Sequence, residues 1–159
     1  MKYFWISLFL IAFFYSCRDE PHFVGDEYTK ETKDLRSKFT NQIVGTWVSI
    51  QDSVYTYIEE QYNFEDNNIL AGRYILRSRD SVMINGAKVI TDWRTIIDQD
   101  LSGHWFLLFN SSTNKNTISF DARNKFGRSA YIELFNVTDS FLDIQSPFTG
   151  HRIHMHRKK

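Results

Sequence analysis

The sequence predicts an all-β fold, an antiparallel meander of about eight to ten strands closing into a small barrel. Three observations carry it. Beyond Gly45 the apolar residues recur with a period of two, the runs are divided by short segments rich in Asn, Asp, Ser and Gly, and no helical period separates them. A twisted sheet of that many strands tends to curl, and closure removes its exposed edges.

The 159 residues fit one domain. Nineteen basic and nineteen acidic residues cancel, so no net charge steers the chain toward nucleic acid or an anionic surface. Partners have to be recognised by shape and local chemistry.

The first segment is not part of the fold. Lys2 precedes an apolar and aromatic run from Tyr3 to Tyr15, broken only by Ser7. A helix needs roughly 20 such residues to cross about 30 Å of hydrocarbon, so residues 1–16 read as a secretory signal peptide. Cys17 is the only cysteine, has no internal disulfide partner, and sits where the apolar run meets Arg18-Asp19-Glu20. Phe14-Tyr15-Ser16-Cys17 resembles the lipobox of bacterial lipoproteins, with Phe14 where leucine is usual and Tyr15 where a small residue is commoner. The resemblance implies that Cys17 carries a diacylglycerol and becomes the first mature residue. A short uncleaved anchor with an incidental cysteine is the alternative. Multiple acyl chains hold firmly, each buried methylene contributing about 0.8 kcal/mol.

Residues 17–38 form the lipidated N-terminus and a tether, with Pro21 and Gly25 among many charges and a helical stretch expected from Lys33 to Gln42. Phe23, Val24, Tyr28 and Leu35 are too scattered to make a face. Asp19 and Glu20 resemble the surface-export signal of some Gram-negative lipoproteins, or are ordinary linker charge.

The domain proper spans 39–159. It opens on Gly45-Thr46-Trp47 and a β-branched run. Val54, Thr56, Ile58, Tyr62 and Phe64 then share one parity, interrupted by Glu60, before the turn-forming Glu65-Asp66-Asn67-Asn68. Ile69–Ser78 follows, with Gly72 read as a bulge or bend. Asn85-Gly86 is a type I′ hairpin signal between Ser81–Ile84 and Ala87–Thr91. The remaining strands are expected at Trp93–Ile97, Trp105–Asn110, Thr117–Phe120, Ser129–Val137, Phe141–Gln145 and His151–His156. Their separators are Asp100–Gly103, Ser111–Asn116, Asn124–Gly127, Thr138-Asp139 and Ser146–Gly150.

A short helical lead-in, Gly45-Thr46-Trp47 on the first strand, a meander of hairpins and a basic last strand resemble the lipocalin and calycin group. More narrowly, they resemble the lipocalin-like domains of Gram-negative lipoproteins. The resemblance covers residues 40 to 157 and implies that Trp47 seals the closed barrel end against an arginine of the last strand, Arg152 or Arg157. The alternatives are a core tryptophan of a β-sandwich, or a solid barrel filled by the nineteen aromatics left after the signal is removed.

No catalytic motif stands out. There is no Gly-x-Ser-x-Gly elbow, Walker-type loop or His-Glu-x-x-His helix, and Glu59 and Glu60 point to opposite sides of a strand. His104 with Asp98 and Asp100 reads as solvated loop. In the last strand, Arg152, His154 and His156 share one side, and His151, Ile153 and Met155 the other. His154 and His156 could chelate a metal with a third ligand, but a solvated polar face is the simpler reading. The expectation is a non-enzyme without cofactor, lipid-anchored in the cell envelope at the outer membrane. It either binds a small apolar or amphipathic ligand or, with a filled barrel, contacts an envelope protein.

Overall fold

The structure is a computed structural model that describes residues 29–122 and 130–159. The expected signal peptide, Cys17, the start of the expected tether and the Asn124–Gly127 separator lie outside the described residues.

Helix α1 runs from Lys30 to Ile43. Its first turn is capped by Thr29, whose Oγ1 accepts from Thr32 N–H at 3.2 Å, and Glu31 complements the positive end of the helix dipole. Residues 30–38, assigned above to the tether, are all helix. Leu35, Phe39 and Ile43 recur every fourth residue and pack on the barrel core. Thr32 Oγ1 accepts from Phe109 N–H at 3.1 Å, and Arg36 Nε donates to Leu107 carbonyl at 2.9 Å. The helix is fastened by polar and apolar contacts alike.

Ten strands follow: β1 Gly45–Asp52, β2 Thr56–Phe64, β3 Ile69–Ser78, β4 Ser81–Ile84, β5 Ala87–Ile90, β6 Arg94–Asn110, β7 Lys115–Ala122, β8 Ala130–Val137, β9 Phe141–Gln145 and β10 Arg152–Arg157. Eight of them close an antiparallel barrel in chain order, with β1 meeting β10 at the seam, and β4 with β5 makes a separate two-stranded sheet between β3 and β6. The expected all-β meander is present, consistent with a lipocalin-like calycin fold.

Two readings of the sequence are corrected. Asp100–Gly103 is not a turn but the middle of β6, because Leu70–Arg73 of β3 lies opposite it in unbroken register and Leu101 is buried. Turn-rich composition yields there to a paired neighbour and a core contact. Gly72 is not a bulge either. It pairs regularly with Tyr62 and Leu101, and a Cβ there would lie 2.8 Å from Tyr62 Cδ1, so glycine makes room for the ring. The irregularity between β3 and β6 falls at Leu76/Arg77 instead.

Asn85 and Gly86 have φ of 51° and 81°, the positive pair that the hairpin turn requires. Inside the barrel, Trp47, Tyr62, Phe64, Trp105, Phe120 and Met155 are buried, and the Phe64 and Trp105 rings meet edge to face at 5.4 Å. The end nearest α1 is filled with side chains.

Candidate functional site

The closed end is built around Trp47 and Arg157, which lie directly opposite each other in the β1–β10 register and so share the inward face. The Arg157 guanidinium carbon lies 4.2 Å from the Trp47 ring centroid. Its Nη1 donates to the Val44 carbonyl and its Nη2 to the Gln42 carbonyl, both at 2.6 Å, while Trp47 Nε1 donates to the Ile43 carbonyl at 2.7 Å. One arginine thus satisfies carbonyls at the helix end and covers the indole. Gly45, at φ 135°, is required there because a Cβ would run into Arg157 Nη1. Arg152 is not part of this end. It bonds Asp143 at 2.8 Å on the outer side and lies over the Phe135 ring.

The opposite end holds a polar group inside the barrel. Ser49, Glu60 and Tyr74 stand abreast on β1, β2 and β3. Glu60 is only 2% exposed. Its Oε2 accepts from the Tyr62 hydroxyl and from Ser146 Oγ, each at 2.8 Å. Ser146 belongs to the β9–β10 turn, and two residues on, Phe148 stacks over Tyr74 at 5.0 Å and over Tyr62 at 6.4 Å. The turn is tucked into the mouth. Burial pushes the Glu60 carboxyl above its ordinary range, and the Ser146 and Tyr62 hydrogen bonds oppose this only in part. Burial and the adjacent Glu60 raise the Tyr62 hydroxyl as well.

The chain matches no family model, no curated protein and no solved structure. Its chemistry has to be read from the geometry alone.

On β10, Ile153 and Met155 are buried and Arg152, His154 and His156 face outward, the alternation expected of them. The His154 and His156 rings meet edge to face at 4.9 Å, and His154 Nδ1 is hydrogen-bonded to Asp143 Oδ1. Burial raises the Asp143 carboxyl, but the Arg152 and His154 hydrogen bonds together outweigh it and hold the group below its usual value. Among the described residues no three His, Cys, Asp or Glu side chains gather to hold a metal ion. His104 is exposed, and Asp98 is paired with Arg73 at 2.7 Å, so the three residues His104, Asp98 and Asp100 form no acid–base set. Among the described residues no helix is long and apolar enough to cross a membrane.

In the sequence Glu60 stands only as an interruption of the apolar alternation. The available signal was its parity, since it shares the inward side with Tyr62 and Phe64. Ser146 and Phe148 carried no such signal, because their turn reaches the interior only through tertiary packing.

Proposed function

We propose that this chain is a lipid-anchored lipoprotein of the Gram-negative cell envelope, held at the outer membrane by acyl chains on Cys17. Its lipocalin-like barrel binds a small amphipathic ligand at the mouth, without catalysis or a cofactor. The observation that carries this reading is the buried Glu60 carboxyl beneath the stacked rings of Phe148 and Tyr74. A solid, space-filling interior has no use for a carboxyl, and the two hydroxyls that hold Glu60 Oε2 bring no positive charge to offset its desolvation. A ligand with a hydrogen-bond-donating or cationic head would meet Glu60, and its apolar body would replace Phe148 against Tyr74. The Trp47–Arg157 closure under α1 supports the lipocalin-like reading of the other end.

The test is native mass spectrometry of the protein taken from its own cells. A co-purifying small molecule that is lost in Glu60→Gln and in Phe148→Ala, both still folded, supports the reading. A bare protein mass throughout would sink it.

A second reading is supported by the β4–β5 hairpin. Val82, Ile84, Ala87 and Val89 form two cross-strand pairs on one side of it, and all four are exposed. That side suits contact with an envelope protein, which would appear in the same spectra as a bound polypeptide.

A further inference from the structure

A separate cleft of about 290 Å³ lies at the closed end, outside the barrel, and we propose that it binds a small organic carboxylate. Three elements supply its lining: Arg36 and Thr40 from α1, Asn68 from the β2–β3 turn, and Trp105, Phe106 and Leu107 from β6. Arg36 and Thr40 are four residues apart and so lie on one side of the helix.

Each polar side chain of the cleft keeps hydrogen-bonding capacity to spare among the described residues. Arg36 Nε is held by the Leu107 carbonyl, which fixes the guanidinium against β6 and leaves its Nη1 and Nη2 edge without a hydrogen bond or an ion-pair partner among the described residues. Arg73, Arg94 and Arg152 are, by contrast, each paired with an aspartate. The Thr40 hydroxyl and the Asn68 amide likewise make no hydrogen bond among the described residues, although Asn68 is rigidly placed, with φ 66° and its carbonyl accepting from Trp105 N–H at 2.9 Å. The carboxylate of the adjacent Glu65 is turned to the Asn63 and Asn67 amides.

Two parallel N–H groups on one guanidinium edge match the two oxygens of a carboxylate. A hydroxyl and an amide from opposite walls can complete its shell. Phe106, half-buried on the outward side of β6, then meets a ring or short hydrocarbon, while Trp105 and Leu107, whose side chains turn into the barrel, close the floor beneath it. At roughly 30 Å³ for each water-sized atom, the cleft holds about ten non-hydrogen atoms, which is the size of an aromatic monocarboxylate.

The probe is benzoate, titrated into the full chain and followed by the Trp105 indole N–H resonance. Saturable shifts are expected, with neutral benzamide binding at least tenfold more weakly. Thr40→Val keeps the helix, and Asn68→Gly keeps the positive φ. Each should weaken benzoate about two- to tenfold, the effect of one lost hydrogen bond. Glu60→Gln should leave the affinity unchanged, which separates this cleft from the barrel mouth. Shifts that never saturate, equal binding of benzamide, or both variants binding like the parent would overturn the proposal.

Discussion

Trp47 and Arg157 meet at one point where a ring, a cation and three helix-end carbonyls are satisfied together. Trp47→Ala should cost roughly 3 to 5 kcal/mol in urea unfolding, from lost burial and the cavity left behind. In a double-mutant cycle Arg157→Ala should couple to it, and Arg152→Ala should add independently, because Arg152 lies on the outer side. A silent Trp47→Ala, or coupling to Arg152, would refute the description. Glu60 makes a pH-dependent prediction. Its folded pKa is raised, so the folded state holds the proton more tightly than the unfolded chain. The associated stability is fully present below the ordinary carboxylate pKa of 4.5 and is lost as pH rises through the higher folded value. Glu60→Gln keeps an acceptor for Tyr62 and Ser146 and should flatten that decline, and an unchanged pH slope would count against it. At this scale the sequence was half legible. Trp47 announced itself by its Gly-x-Trp setting, and Arg157 shares the parity of Ile153 and Met155 while Arg152 does not, so alternation alone could have chosen between them, whereas Ser146 depended on a turn folding back into the lumen.

Among the elements, strands with clean alternation were legible, as in β10, where Ile153 and Met155 face in. β6 was not, because Asp100-Leu101-Ser102-Gly103 has turn composition and only its pairing with β3 keeps it straight. α1 was legible in its middle but not at its start, since Leu35 gains a partner only four and eight residues later, at Phe39 and Ile43. Its start has a measurable consequence. A chain beginning at Thr29 keeps the cap and the Thr32 bond to Phe109, and one beginning at Lys33 loses both. Both should give β-dominated circular dichroism, with the shorter chain less stable by about 1 to 3 kcal/mol. Equal melting temperatures would show that the first turn contributes nothing.

For the whole molecule, the closed meander followed from strand number and spacing, while the exclusion of β4 and β5 from the barrel could not, because their alternation resembles that of any other hairpin. The proposed anchor belongs to this scale too. Cys17→Ser should abolish incorporation of radiolabelled fatty acid and leave the domain unattached, and undiminished labelling would remove the lipoprotein reading. The seam has a different consequence. β1 and β10 share only two registered pairs, Trp47 with Arg157 and Val48 with His156, yet they join the first barrel strand to the last. During synthesis, every other strand can find its neighbour as soon as that neighbour emerges, but the sheet stays open until β10 arrives. Until then the outer edges of β1 and β9 are bare, and closing so long a loop comes late and slowly. The six residues Arg152–Arg157 are therefore the latch of the barrel, and until they arrive the strands before them form an open sheet with two edges free to pair wrongly.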